Sequence, residues 1–376
     1  MKASVALFAI LAALIVYSCT NRTMAIWLCQ VTGDLTGNNY HMSKRDKIPD
    51  DLVCLGLDEL GLLRFDTRTK WPVLDGVKPE FQPENWMETC KNPGLGIKKL
   101  HGQGITGRGV AIAVIDKPIN PDHCEFVGRI NYQEVFTDSA KAPSYRYHSH
   151  GASCASILCG TSCGVAPEAI LYYRAVPDDT MDMYNYSMAV REILSLNRQL
   201  PPSGRIRAIS ISHCVASIRN EEQMAAWAAV VQEAAREGIA VIYSDINRIH
   251  PFFVWGGCPP WLDREDPENY LYPEDAINSF LWKEGKIILP AYYRSTASNR
   301  GTSDYTFNGR GGFSFSIPYL TGLAALAWSV DPALTFQDIA GLLKETSRTT
   351  SSEVRIVDPG RYISAVKSRK AGLALY

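Results

Sequence analysis

Residues 109–116 read GVAIAVID, a run of small and β-branched apolar residues that ends at Asp116. A strand that is apolar at every position, rather than at alternate ones, is typical of a parallel sheet covered on both faces. We therefore predict a buried parallel strand here. Ligands of such sheets bind beyond the carboxyl ends of the strands, where Asp116 would lie. Taken alone, an Asp at a strand end is more often a turn residue, so its role depends on the rest of the chain.

A second stretch, residues 150–158, reads HGASCASIL and predicts a helix entered at His150. Gly151 would let another backbone or a substrate approach closely. Imidazole is the commonest general base because its pKa lies near neutral pH. An alternative is a zinc site, since His148, His150 and Cys154 offer three ligands of the kind zinc prefers. Cys154 falls on the apolar stripe of the helix, however, where a free Cys more often packs as a small hydrophobic side chain.

A third stretch, residues 312–318, reads GFSFSIP and precedes apolar residues at helical spacing. Proline has no N–H, so we predict that Pro318 lies in the first turn and that the helix begins close to Ser314. A serine there could be an ordinary cap, or a nucleophile whose developing charge the helix N-terminus stabilises. The strand-like run GIAVIYS at 238–244 leads to Asn247, whose amide could donate to an oxyanion. An isolated Asn at such a place is usually a turn residue.

Together these stretches resemble the subtilases, the subtilisin-like serine proteases, over roughly residues 104–349. Acid, base and nucleophile follow one another as Asp116, His150 and Ser314, the order of the subtilisin triad. The resemblance implies that Ser314 attacks the scissile carbonyl, His150 takes its proton and Asp116 orients His150. It also implies an oxyanion hole formed by Asn247 and the Ser314 backbone N–H, with no cofactor.

The walls that would receive substrate depart from the subtilase pattern. Lys117 and Pro118 follow the acid, and Phe313 and Phe315 flank the nucleophile. These departures leave every catalytic group in place and bear on specificity. The residues expected to line the substrate site are Ser212, His213, Cys214 and Asp245. The carboxylate of Asp245 would favour basic side chains before the scissile bond. The stretch CGTSC at 159–163 is short where many secreted subtilases bind calcium, so we expect no calcium there.

Composition and element order favour one sizeable α/β domain with an extension. The 376 residues carry a formal net charge of −1 and no basic run, which argues against a nucleic-acid partner. The resemblance to the subtilases implies a protein or peptide substrate. Helical patterns at 184–197 and 221–237 alternate with strand patterns at 208–211 and 240–243. Such alternation predicts a parallel sheet with helices on both faces, the subtilisin-like arrangement.

The N-terminal region divides the chain into residues 1–19, 20–102 and 103–376. Lys2 and the apolar run 3–17 have the form of a signal peptide, which predicts a secreted or cell-envelope protein. Residues 16–19, VYSC, resemble a bacterial lipobox that would attach the chain to a membrane through a lipid on Cys19. Ordinary cleavage and an uncleaved anchor are the alternatives. Residues 20–102 are either a propeptide that is cut off or an extension that stays, and residues 103–376 form the peptidase domain.

Three further alternatives stay open at this stage. The chain could be an inactive binding or regulatory protein with the same fold, because two aromatic residues flank Ser314. Ten cysteines in an exported chain suggest disulfides, and Cys154, Cys159 and Cys163 are near enough in sequence to pair. The aromatic insertion at 252–286 is either a lid over the site or, as we favour slightly, a surface connection.

Overall fold

The computed structural model describes residues 34–35, 52–53, 55–71, 74–135, 147–177, 183–214, 220–244, 252–278 and 285–373. The predicted signal peptide with Cys19, and both Asp245 and Asn247, lie outside these residues.

The described residues form strands and helices in the following order along the chain. The strands are β1 (Asp34–Leu35), β2 (Arg64–Asp66), β3 (Ala111–Asp116), β4 (Ile130–Glu134), β5 (Ile170–Ala175), β6 (Ile206–Cys214), β7 (Ala240–Ser244), β8 (Phe253–Gly256), β9 (Ile287–Pro290), β10 (Arg294–Ala297), β11 (Tyr305–Asn308), β12 (Arg348–Thr349) and β13 (Arg355–Ile356). The helices are α1 (Leu57–Gly61), α2 (Pro83–Thr89), α3 (Ile97–Gly102), α4 (Ser149–Cys159), α5 (Met183–Gln199), α6 (Glu221–Arg236), α7 (Glu274–Ile277), α8 (Gly312–Val330), α9 (Phe336–Thr346) and α10 (Pro359–Leu373).

The central layer is a five-stranded parallel sheet in the order β4-β5-β3-β6-β7. Its middle strand is β3, and all six residues of β3 are buried. Ile112 and Val114 belong to one core cluster, whereas Ala111, Ala113 and Ile115 belong to the other. Alternate side chains of a strand point to opposite faces, so the two clusters lie on the two faces of the sheet. The predicted α/β fold, with a parallel sheet and helices on both faces, is confirmed.

Helix α8 is the central helix of the first core cluster. It packs against α4, β6, β8 and β9, and its residues from Phe315 to Trp328 are buried. By length and composition it could cross a membrane, but 78% of its apolar window is buried inside the fold, as in the core helix of a soluble domain. The prediction that Pro318 lies in the first turn of this helix is wrong. The helix begins at Gly312, so Pro318 lies in the second turn rather than the first.

Two smaller sheets flank the parallel one, and one of them includes the N-terminal extension. Strand β2 pairs with β1 on one side and with β11 on the other, in the order β1-β2-β11-β10. The described part of residues 57–102 contributes Leu60, Phe65 and Trp86 to the same core cluster as α8. The extension and the peptidase region therefore share one core.

The third sheet has the order β12-β13-β9-β8 and begins inside the aromatic insertion. All four residues of β8 are buried, and Tyr270 further along is 0% exposed. The preferred reading of 252–286 as a surface connection is therefore wrong for this part. The apolar residues of the insertion supply strand β8 and core side chains such as Tyr270. Most of the acidic residues of the insertion lie in the sequence between β8 and Tyr270.

The sequence left local disulfide pairing and helix packing open for Cys154 and Cys159, and no disulfide is present among the described cysteines. Free thiols are carried by Cys90, Cys124, Cys154, Cys159, Cys163 and Cys258. Cys154 and Cys159 are buried within α4, as a packing role requires, and Cys163 is buried in the turn that follows.

Candidate active site

The first two predicted catalytic residues meet at one end of the parallel sheet. Asp116 is the last residue of β3, and His150 is the second residue of α4. His150 Nδ1 lies 2.8 Å from Asp116 Oδ1. The Asp116 side chain is 4% exposed and that of His150 is 28% exposed, so the carboxylate is sealed behind an imidazole that solvent can reach. A carboxylate held in this way fixes the tautomer and orientation of the ring and leaves Nε2 for a reacting group.

The carboxylate is fixed by a backbone donor as well as by the imidazole. The Lys117 N–H donates to Asp116 Oδ1 at 2.8 Å, so one oxygen accepts two hydrogen bonds. Burial by itself raises the pKa of Asp116, but the His150 charge and these hydrogen bonds outweigh it, so this pKa lies below its ordinary value. Burial by itself lowers the pKa of His150, and the Asp116 charge reverses this and raises it well above 6.5. The pair is thus poised to stabilise an imidazolium.

Local sequence fixes how α4 enters the site. His148 is the N-cap residue, and its Nδ1 accepts a hydrogen bond from the His150 N–H at 3.0 Å. Gly151 is buried where a Cβ would overlap the Lys117 carbonyl oxygen and the Tyr173 hydroxyl. Only glycine lets α4 approach the end of β3 so closely, and this approach brings the imidazole to Asp116.

Ser314, the third residue of α8, is held through its carbonyl oxygen. In a regular helix that oxygen would accept from the N–H of the residue four positions later, which is Pro318 and has none. Instead, the Ser212 hydroxyl donates to it at 2.7 Å, and the Cys154 thiol donates to it at 3.4 Å. Two residues from β6 and α4 therefore replace the missing helical hydrogen bond at the candidate nucleophile.

The Cys154 thiol also joins the two halves of the site. Its sulfur is 3.9 Å from His150 Nδ1 and contacts the Ser314 carbonyl. Burial raises the pKa of Cys154, so it acts as a neutral donor. The contact of Cys154 with both His150 and the Ser314 carbonyl goes beyond the packing role predicted for it. The available signal was its position one turn after His150, together with a proline one turn after Ser314.

The expected substrate-site residues separate into different environments. The Ser212 hydroxyl donates to the Ser314 carbonyl oxygen. The ring of His213 stacks on that of Tyr186 at 4.8 Å between centroids. Cys214 is described only by its backbone, which pairs with Ser244. Contact of these residues with substrate stays a prediction, as do the roles of Asp245 and Asn247.

The aromatic neighbours of Ser314 are accounted for by packing. Phe315 is 6% exposed, within the core. Phe313 is half-buried and meets Trp255 of β8 edge to face, with 4.8 Å between ring centroids. The two rings that depart from the subtilase pattern are thus held by neighbouring side chains.

The residues that could bind a metal differ from His148, His150 and Cys154, the ligands suggested by the sequence. Within the described residues, ligand atoms of Asp116, His150 and Cys154 lie within 4.8 Å of one another. His148 contributes instead to the helix cap through its Nδ1. A cation there would compete with the hydrogen bond between His150 and Asp116 and would require the buried Cys154 thiol to ionise. The donor set fits an orienting carboxylate–imidazole pair better than a structural zinc site.

Comparison with known proteins agrees with this geometry. A family model described as the Subtilase family matches residues 107–281, which include both Asp116 and His150. Residues 107–281 therefore resemble the subtilase family. Ser314 lies beyond the matched residues, and its carbonyl oxygen accepts from Ser212 and Cys154.

Several curated proteins similar to this chain are subtilisin-like, at low identity. Over an alignment of 99 positions the chain is 31% identical to the subtilisin-like protease PopC of Myxococcus xanthus, and the match covers 24% of this chain and 20% of PopC. Over an alignment of 342 positions it is 23% identical to proprotein convertase subtilisin/kexin type 4 of Rattus norvegicus, and the match covers 79% of this chain and 47% of the convertase. The chain thus spans less than half the length of these curated relatives.

Solved structures show the same fold. A structure of the subtilase cytotoxin SubAB assembly superposes with a TM-score of 0.54 and 18% identity, and covers 74% of this chain and 96% of that one. The prenylagaramide maturation protease PagA superposes with a TM-score of 0.50 and 16% identity, and covers 72% and 98%. The chain therefore has the subtilase fold.

Proposed function

We propose that this protein is a serine endopeptidase in which Ser314 is the nucleophile, His150 the general base and Asp116 the residue that orients the base. The observation that carries the proposal is the 2.8 Å contact between His150 Nδ1 and the buried Asp116 carboxylate. The match of residues 107–281 to the subtilase family model supports a serine peptidase and a protein or peptide substrate. The thiol of Cys154, which touches both His150 and Ser314, supports the proximity of base and nucleophile.

In the proposed reaction, Ser314 Oγ attacks the scissile carbonyl while His150 Nε2 takes the hydroxyl proton. His150 then gives this proton to the leaving amine, and water repeats the sequence to release the acyl group. Asp116 stays ionised throughout, since the charge of His150 and two hydrogen bonds keep its pKa low. The N–H of Ser314, near the helix N-terminus, and the Asn247 amide would receive the oxyanion.

A fluorophosphonate probe tests the chemistry directly. The parent chain, Ser314→Ala and the matched control Ser316→Ala would be labelled under identical conditions. Ser316 is 0% exposed on the same helix, two residues further along. We expect label on the parent and on Ser316→Ala, and none on Ser314→Ala. No label on any of the three proteins, or equal label on all three, would overturn the assignment.

The alternative of an inactive binding protein predicts no label on any variant. It is not favoured, because its main support was the aromatic residues beside Ser314, and these are packed against the protein itself.

The cleavage preference can be measured by digesting an unfolded protein with the unmutated chain and identifying the products by mass spectrometry. Asp245 is proposed to favour basic residues, so Asp245→Ala should reduce cleavage after Arg relative to cleavage after Leu.

We also propose that the protein is exported, with Cys19 as the candidate lipid-bearing residue. Many subtilases are secreted, and the sequence of residues 1–19 has the form of an export signal. Growth with a labelled fatty acid should label the parent and leave Cys19→Ala unlabelled. Label on neither protein would exclude lipidation, and sequencing of the mature N-terminus would locate the ordinary cleavage site.

A further inference from the structure

The N-terminal extension is paired with the strand that leads to the candidate nucleophile. Strand β2 runs antiparallel to β11, and the pairing continues past β11, where the Gly309 N–H donates to the Leu63 carbonyl at 3.0 Å. A Cβ at Gly309 would overlap the backbone of α1 and the residue after it. Ser314 follows five residues later. The extension therefore fixes the backbone just before the Ser314 segment.

Side chains reinforce this pairing at the centre of the core. The rings of Phe65 and Phe307 are stacked, with 4.8 Å between centroids, and they are 1% and 0% exposed. Arg64 Nε donates to Asn308 Oδ1 at 3.1 Å. The amide of Asn308 donates in turn to Thr296 Oγ1 of β10 at 3.0 Å. One hydrogen-bonded row thus links the extension to both strands of the hairpin that precedes α8.

A second contact lies at the other end of the extension. Arg264, only 7% exposed, donates from its two terminal nitrogens to the carbonyl oxygens of Thr89 and Tyr293, at 3.3 and 3.1 Å. The Leu95 N–H donates to the Arg264 carbonyl at 3.0 Å. The buried guanidinium therefore donates both to the extension and to the rest of the chain. Separating the two would be costly, because it would leave buried polar groups without these hydrogen bonds.

We infer that residues 57–102 stay in the working protein as a wall that positions the Ser314 segment, and do not leave as a released propeptide. Departure of this segment would strip β2 from β11, uncover Phe307 and leave Arg264 without the Thr89 carbonyl. A maturation cut that yields an active protein therefore falls before residue 57. This inference rests on the proposed function for its activity readout, whereas retention itself can be measured without activity.

The test uses the full chain with the recognition sequence of a site-specific cysteine protease inserted between Gln103 and Gly104. Both residues are exposed, and a Cβ at Gly104 would meet no atom within 4 Å, so the site is accessible. The native protein is cut and passed through a sizing column without denaturant. We expect the two pieces to elute together and the fluorophosphonate labelling rate to stay within about twofold. Separation of the pieces, with the larger one still labelled at the same or a higher rate, would overturn the inference.

A pair of point variants keeps the inference testable if the insertion impairs folding. Phe65→Ala removes the stacked ring, and Glu84→Ala changes an exposed residue of α2 as a control. At a temperature where circular dichroism shows both to be folded, we expect Phe65→Ala to be labelled at least about tenfold more slowly and Glu84→Ala at the parent rate. Equal rates for all three would refute a positioning role. If the parent itself is not labelled, the proposed function fails, and co-elution of the cut pieces still decides retention.

Discussion

Replacing Ser212 by Ala should destabilise the protein, and a second substitution at Pro318 should largely remove that effect. The Ser314 carbonyl lacks its helical donor because residue 318 is a proline, and it accepts instead from Ser212 at 2.7 Å and from Cys154 at 3.4 Å. Ser212→Ala leaves only the thiol, which is a weak donor. Pro318→Ala restores a backbone N–H at the position that a regular helix uses.

The magnitude follows from what happens to one acceptor. Loss of a hydrogen bond that leaves a buried acceptor poorly satisfied costs about 1–3 kcal/mol. Ser212→Ala in the parent should lower the free energy of unfolding by this amount. In the Pro318→Ala background the carbonyl has its helical donor, so the same change should cost less than about 1 kcal/mol, a coupling of about 1–2 kcal/mol. Pro318→Ala also affects packing and the unfolded chain, but these effects are the same with and without Ser212→Ala, so they cancel in the comparison.

Urea unfolding of the parent, the two single variants and the double variant measures this coupling, provided that the m-values agree. Ser316→Ala is the control, since its hydroxyl donates at 3.4 Å to Gly312, whose carbonyl can also accept from a backbone N–H. Its cost should be small and independent of residue 318. An equal loss for Ser212→Ala in both backgrounds would refute the idea that Ser212 replaces the helical donor. Fluorophosphonate labelling should fall and recover in parallel, because the same contact positions Ser314.

Other features of the site lead to three further predictions. The Asp116 charge raises the pKa of His150, so neutral His150 appears only as pH rises through a value above 6.5, and labelling of Ser314 should increase over that range. Asp116→Asn should move the midpoint of this pH profile to lower pH and reduce the labelling rate by about 10³–10⁴. Gly151→Ala should reduce both labelling and thermal stability, by about 1–3 kcal/mol for the latter, because its Cβ would overlap the backbone at the end of β3; a stable variant with full labelling would contradict this. Chelator should leave the melting temperature unchanged if the 159–163 turn holds no calcium, and a drop of several degrees would exclude that view.

Regular periodicity made the central architecture predictable from sequence. The apolar run before Asp116 is continuous because alternate side chains of β3 enter two different core clusters. The helical patterns at 184–197 and 221–237 correspond to α5 and α6 within a few residues. These features depend on neighbours along the chain, so a single sequence is enough to reveal them. The position of His150 at a helix start also followed from local pattern.

Long-range pairings explain what the sequence left undetermined. Strand β2 is three residues long and pairs with a strand about 240 positions later, and no local pattern specifies that partner. Pro318 was misplaced because proline was taken to exclude a second-turn position, whereas tertiary donors from β6 and α4 replace the bond it removes. Buried strand β8 was overlooked because its aromatic residues stand in an insertion rich in acidic residues and prolines.

The proposed base, His150, and the proposed nucleophile, Ser314, are both held by helix α4. Helix α4 carries His150 near its start and Cys154 one turn later, and the Cys154 thiol reaches the Ser314 carbonyl. A shift of α4 therefore moves the imidazole and weakens the hold on Ser314 at the same time. Substitutions that remove the contact of His150 with Asp116 and the contact of Cys154 with the Ser314 carbonyl should therefore be non-additive. Once one contact is lost, the other no longer aligns His150 with Ser314. A buried thiol is well suited to this place, since it is small enough for the helix interface and donates weakly without introducing a charge beside Asp116.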